Sequence, residues 1–105
     1  MAEPMLAHNV FFSLHDASDA AKATLVAACK KYLSSHPGTA FFACGTRATE
    51  LQRGVNDLEF DVGLHVVFKT KADHDAYQVA PLHDQFIVEN KANWKRVRVF
   101  DSLVG

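Results

Sequence analysis

Three side chains in this sequence, His8, Tyr77 and His83, have the chemical types needed for general acid–base work. His8 lies in an apolar alternating segment, whereas Tyr77 and His83 flank Pro81 in the stretch AYQVAPLHDQF. A neutral imidazole can accept a proton, and a phenol hydroxyl can donate a hydrogen bond to a developing oxyanion. The alternative is that each residue only makes a local hydrogen bond in a partly buried position. By residue type alone, the second interpretation is the more common one.

The remaining histidines and the two cysteines form no recognised metal or nucleophile motif. The six histidines, at positions 8, 15, 36, 65, 74 and 83, show no HExxH, HxH or histidine–cysteine spacing. His74 lies between Asp73 and Asp75, which we interpret as the solvated first turn of a short helix. Cys29 and Cys44 fall in apolar segments typical of buried, reduced thiols. We therefore predict no metal, no cofactor and a reducing, cytoplasmic location.

Length and composition are those of a single domain spanning all 105 residues. The hydrophobic share of 49% and the charged share of 22% exclude a disordered chain and a coiled coil. A formal net charge of −1 provides no electrostatic footprint for nucleic acid or anionic lipid. No apolar run reaches the roughly 18 residues of a membrane span, and the first residues lack the features of a secretory signal. We expect neither nucleic-acid nor membrane partners.

The hydrophobic pattern predicts the elements that position these side chains. Alternating apolar residues indicate strands, and apolar residues at helical spacing indicate helices. Predicted strands cover 8–14, 39–46, 60–69 and 94–101, and predicted helices cover 19–35, 71–79 and 83–90. The order β-α-β-β-α-β is that of a ferredoxin-like α+β fold with an antiparallel four-stranded sheet. Its core should extend over about residues 8–101.

Large apolar side chains occur on both faces of the predicted strands. Phe11 must point away from Phe12, and Phe41 away from Phe42, because neighbouring strand residues face opposite sides. Two helices cover only one face of such a sheet, and an uncovered face is normally polar. The pattern therefore favours a homodimer in which a second copy covers the open side. Scattered surface hydrophobic residues are the alternative.

Several of these residues also carry a family resemblance. The first strand opens with H-x-V-x-F at His8, the third strand ends in V-x-F-K, and Ala76-Tyr77-Gln78 is followed by Pro81-x-His83. Over roughly residues 8–101 these features resemble the stress-responsive dimeric A/B barrel (Dabb) family. The resemblance implies ferredoxin-like units whose sheets pair into a dimeric α/β barrel. Most members have no assigned reaction.

The resemblance also implies a pocket for a small apolar or aromatic molecule. A plant polyketide cyclase of the family uses a tyrosine and a histidine that correspond to Tyr77 and His83, which makes these the candidate catalytic residues. Ala80 stands where members usually have histidine, and Val62 stands where the cyclase has a second pocket histidine. The expected ligand-contacting residues are His8, Val10, Phe12, Val62 and Leu64.

Three classes of function remain open at this point. The first is a homodimer that binds a small molecule, with no assigned reaction. The second is a cofactor-free enzyme, such as a polyketide-type cyclase, a lyase or an oxygenase, that uses Tyr77 and His83. The third is RNA binding, because RNA-recognition domains share the order of elements, but FDVGLHVVF lacks their basic start and aromatic pattern.

Overall fold

The computed structural model describes residues 3–105 as a four-stranded antiparallel sheet with α-helices packed on one face. The strands lie side by side in the order β2-β3-β1-β4, which confirms the predicted ferredoxin-like α+β fold. The elements are β1 Met5–Leu14, α1 Asp19–Leu33, β2 Thr39–Thr46, β3 Val62–Phe68, α2 Lys71–Gln78, α3 Pro81–Asn90, a 3₁₀ helix Lys91–Asn93 and β4 Trp94–Val104. Within this part of the chain, no helix has the length and apolar character needed to cross a membrane.

Strand ends differ from the predicted ones because pairing between strands decides them. β1 begins at Met5 and β4 continues to Val104, since these two residues pair at the end of the central antiparallel ladder. β3 begins at Val62, two residues later than expected. α3 begins at Pro81, because proline fits the first helical turn, where its missing N–H has no partner to lose.

The core lies between the sheet and the helices. Every second residue of β1 is buried on this face, as the alternation predicts. β3 contributes a continuous apolar row that is almost completely buried, and α1 adds Leu25, Cys29 and Leu33. The buried strand residues are Leu6, His8, Val10, Phe12, Leu14, Val62, Leu64, Val66 and Phe68.

The turn before β2 holds the start of α2 in place. Gly38 has a φ of 82°, a conformation that favours glycine, and a Cβ there would overlap the Asp73 carboxylate. Thr70 caps α2 by accepting a hydrogen bond from the Asp73 backbone N–H at 3.1 Å. These contacts anchor the first turn of α2 over the sheet.

The opposite side of the sheet, which we call the open face, carries Phe11, Phe41, His65 and Phe100. Phe11 packs edge-on against Phe100 with ring centroids 5.8 Å apart. The side chains of Phe41 and Phe100 are 55% and 52% exposed. A single chain therefore leaves an aromatic surface in contact with water.

Candidate functional site

A cavity of about 190 Å³ lies between the sheet and the helices α2 and α3. Its walls are mainly apolar and aromatic, as in most small-molecule sites, with a few polar groups. The polar groups come from His8, Tyr77, Gln78, His83 and the Trp94 indole. The apolar lining residues are Val10, Phe12, Leu33, Leu64, Phe86, Ile87, Val97 and Val99.

The break between α2 and α3 brings Tyr77 and His83 together. Tyr77 lies in the last turn of α2, and Pro81 starts α3 so that His83 falls in its first turn. The Ala80 N–H donates to the Tyr77 carbonyl at 3.2 Å, which closes the connection between the two helices. As a result, the rings of Tyr77 and His83 meet edge to face with centroids 4.8 Å apart.

Tyr77 is packed among aromatic rings and is 2% exposed. Its ring centroid lies 4.9 Å from those of His36 and Phe68 and 5.8 Å from that of His8. The hydroxyl is buried and has no hydrogen-bond partner within residues 3–105. Burial raises the pKa of this hydroxyl well above its usual range, so the group stays protonated and can act only as a neutral hydrogen-bond donor or acceptor at pH 7.

His83, whose ring packs against Tyr77, also has an unpartnered buried nitrogen. Its Nδ1 is buried without a hydrogen-bond partner among the described residues, as is the Trp94 indole N–H. Burial lowers the pKa of His83, while the charge of Asp84 partly offsets that effect. Because buried polar atoms nearly always have partners, these atoms and the Tyr77 hydroxyl suit a ligand with polar groups of its own.

The imidazole of His83 is expected to titrate below its usual value of 6.5. Because the folded-state pKa is the lower one, the unfolded chain binds the proton more readily. The contribution of His83 to stability is therefore present above about 6.5 and is lost as the pH falls through the folded-state pKa. An NMR titration of the histidine ring protons measures the midpoint of His83. A His83 midpoint at or above 6.5 would contradict the expectation.

His8 stands on β1 at the same end of the cavity and is held by a carboxylate. Its Nδ1 lies 2.6 Å from Asp101 Oδ1 on the neighbouring strand β4. Burial lowers the pKa of His8, although the hydrogen bond and charge of Asp101 act in the opposite direction. The neutral ring donates its Nδ1 hydrogen to Asp101 and leaves the Nε2 lone pair toward Gln78.

His74 is not the solvated residue that its acidic neighbours suggested. Its side chain is 14% exposed, and its ring centroid lies 5.0 Å from that of His8. The reason is that α2 packs over β1 and β3 with His74, Tyr77 and Gln78 on its inner face. The spacing i, i+3, i+4 of these three residues was the sequence signal that could have identified them.

The structure brings most of the expected site residues together. His8, Val10, Phe12, Leu64, Tyr77 and His83 all line the cavity. Val62 does not, because it lies fully buried opposite Phe12 and Thr46, in the core beyond the cavity wall. Sequence reasoning missed Gln78 and the β4 residues Trp94, Val97 and Val99, which face the cavity from beside β1.

A larger depression of about 300 Å³ lies between α1 and the end of α3. Apart from the Trp94 indole, which borders both cavities, its polar side chains are engaged within the protein. The Tyr32 hydroxyl donates to the Glu89 carboxylate at 2.7 Å, and the Asn90 amide donates to the Phe86 carbonyl at 2.8 Å. The cavity beside Tyr77 therefore has the better-placed chemistry.

Comparison with known families gives one match to most of the chain. The model of the family described as "Stress responsive A/B Barrel Domain" matches residues 6–104. Among curated proteins, none matches this sequence.

Solved structures share the same fold at low sequence identity. A Dabb family protein with a ferredoxin-like fold from Mesorhizobium loti has a TM-score of 0.77 and 21% identity, covering 96% of this chain and 97% of that one. A dimeric ferredoxin-like protein of unknown function from Thermobifida fusca has a TM-score of 0.80 and 14% identity, covering 97% and 92%. A hydroxynitrile lyase from Passiflora edulis has a TM-score of 0.73 and 18% identity, covering 97% and 94%.

Proposed function

Because the chain belongs to the stress responsive A/B barrel domain family, we propose that it binds a small apolar or aromatic carbonyl compound in the cavity beside Tyr77 and His83. The observation that carries the proposal is the set of buried, unpartnered polar atoms, the Tyr77 hydroxyl, His83 Nδ1 and the Trp94 indole N–H, on side chains that line an otherwise apolar cavity. A ligand with an aromatic or aliphatic body and one or two oxygen atoms complements both features.

The paired groups suit proton transfer next to a carbonyl. The protonated Tyr77 hydroxyl donates a hydrogen bond to the carbonyl oxygen and stabilises the negative charge that develops there. Neutral His83 accepts the proton from the adjacent carbon through Nδ1. The resulting enolate carbon can then attack a second carbonyl carbon of the ligand to form a carbon–carbon bond, and protonated His83 returns its proton to the alkoxide oxygen that this forms.

The second candidate function is catalysis by a lyase. The hydroxynitrile lyase from Passiflora edulis favours this candidate, since it has the same fold. A neutral His83 can take the proton of a substrate hydroxyl while the adjacent carbon–carbon bond breaks and the leaving group keeps the electron pair. A polyketide-type cyclase is a weaker alternative, because Ala80 stands where family members usually have histidine and Val62 stands where the cyclase has a second pocket histidine.

Tyr77→Phe should weaken binding of small aromatic aldehydes and ketones by about three- to tenfold, because the hydrogen bond to the carbonyl oxygen is lost while the ring packing stays. Trp94 is the single tryptophan of the sequence and lines the cavity, so its fluorescence reports binding. His15→Ala, at an exposed position outside the cavity, is the matched control and should bind as the unmodified protein does. Equal affinity of the unmodified protein and Tyr77→Phe across the panel would contradict the proposal.

We also propose that the functional protein is a homodimer in which the open faces of the two sheets pack together. The exposed rings of Phe41 and Phe100 support this arrangement, because water contact with such a surface is unfavourable. The related proteins described as dimeric, such as the one from Thermobifida fusca, support it as well. Pairing of the two sheets would produce the α/β barrel of the family.

A reducing location such as the cytoplasm is part of the same proposal. Cys29 and Cys44 are both free thiols, and neither forms a disulfide. Burial raises the pKa of Cys29 to about 12 and also raises that of Cys44, so both are poor nucleophiles. Their role is packing against the core.

A further inference from the structure

Two histidines from different elements both direct their Nε2 atom toward the side chain of Gln78. His8 comes from β1 and His74 from α2, and the Nε2 atom of each lies 3.4 Å from the Gln78 amide nitrogen. Their ring centroids are 5.0 Å apart. Two imidazoles bound to one tetrahedral ion through bonds of about 2.0–2.1 Å have centroids about 5 Å apart. The spacing of the two rings is therefore that of a histidine pair on a metal.

The far nitrogen of each ring is held by a carboxylate. His8 Nδ1 lies 2.6 Å from Asp101 Oδ1, and His74 Nδ1 lies 3.0 Å from Asp75 Oδ1. Metal-binding histidines almost always donate their second N–H to such a partner, which fixes the tautomer and the ring orientation. Each Nε2 lone pair then faces the Gln78 amide nitrogen, so the amide hydrogens occupy the position where a cation would be held.

We propose that His8 and His74 bind a divalent transition-metal ion such as Zn²⁺ through Nε2, with the Gln78 amide oxygen as third ligand after rotation of the amide. One ligand atom from each of His8, His74 and Asp101 lies within 4.8 Å of the others, which places a carboxylate beside the histidine pair. Asp101 is partly exposed, which leaves a path from solvent. The two imidazole ligands suit Zn²⁺, Co²⁺ or Ni²⁺ better than Mg²⁺.

The sequence predicted no metal because the ligands lie in separate elements and show no motif spacing. Only the packing of α2 over β1 brings His74 to His8. His8 and Gln78 also belong to the cavity wall, so three protein ligands leave a fourth position open toward the cavity. The metal site stands on these contacts alone and does not depend on what the cavity binds.

Isothermal titration of Zn²⁺ into tag-free, EDTA-treated and dialysed protein tests the site. We expect one ion per chain, and Co²⁺ in its place should produce visible absorption bands of a tetrahedral complex. His74→Ala should weaken Zn²⁺ binding more than tenfold, and Asp101→Asn should weaken it about 10- to 100-fold through the loss of support for His8. His15→Ala is the control with a deleted surface histidine and should bind Zn²⁺ as the unmodified protein does.

Several results would overturn the metal site. One is the absence of stoichiometric Zn²⁺ binding. Another is equal Zn²⁺ affinity of the His74→Ala and His15→Ala variants. Far-UV circular dichroism verifies that each variant is folded, and the buried His8 is left unchanged for that reason. Binding of carbonyl compounds, measured separately on metal-free protein, distinguishes the metal site from the proposed function. If Tyr77→Phe weakens carbonyl binding but the protein does not bind Zn²⁺, only the metal site is contradicted. Zn²⁺ binding without carbonyl binding contradicts the proposed function only.

Discussion

Replacement of Phe68 by alanine is expected to lower the free energy of unfolding by about 3–5 kcal/mol. Phe68 ends β3 on the helix face and is fully buried. Its ring centroid lies 4.9 Å from that of Tyr77 and 5.7 Å from that of His74, so the truncation leaves a void beneath both site residues. The loss is a large part of the 5–15 kcal/mol typical of a domain.

Urea denaturation at one fixed protein concentration measures this loss, because the stability of a dimer depends on concentration. Val88→Ala, on the outer side of α3 with its side chain 71% exposed, is the matched control and should change stability by no more than about 0.5 kcal/mol. A loss below about 1 kcal/mol for Phe68→Ala would mean that the face beneath the helices is not the core.

Phe100→Asp is expected to convert a homodimer into a monomer. Phe100 lies on the open face beside Phe11 and is half exposed in the single chain. A twofold interface contains each substituted residue twice, and a buried carboxylate without a partner costs several kcal/mol. Light scattering at micromolar concentration should find about twice 11.6 kDa for the unmodified protein and 11.6 kDa for the variant.

Val88→Asp provides the control for added charge, because it places a carboxylate on the outer surface of α3 and should leave the dimer intact. A monodisperse monomer of the unmodified protein would contradict the homodimer. The open face would then need another cover for Phe11, Phe41 and Phe100. A dimer of Phe100→Asp with unchanged affinity would show that the copies pair through another surface.

Local sequence patterns were sufficient to predict the order and type of the secondary-structure elements. The alternation of Val62, Leu64, Val66 and Phe68 predicts which face of β3 is buried, because successive strand residues point to opposite sides whatever the rest of the chain does. The break at Pro81 is equally local, since proline cannot continue a helix but can begin one. Such features predicted that Tyr77 and His83 would lie on two short helices and point toward the same end of the sheet.

Long-range packing determined the remainder. Met5 and Val104 belong to strands only because they pair with each other, and neither has a local pattern that shows this. Val62 shares a face with Leu64 but lies outside the cavity, although its pairing partner Phe12 lines it.

The group around His8 depends on tertiary structure most strongly. Asp101 reaches His8 through the register of β1 with β4, and His74 reaches it through the packing of α2 on the sheet. The hydrophobic periodicity of the sequence predicts neither contact. Residues far apart in the chain meet only when separate elements bury their apolar faces together. The sequence by itself determined the elements and identified Tyr77 and His83 as candidate site residues. Only the assembly of the elements decided which histidine ring nitrogens come together.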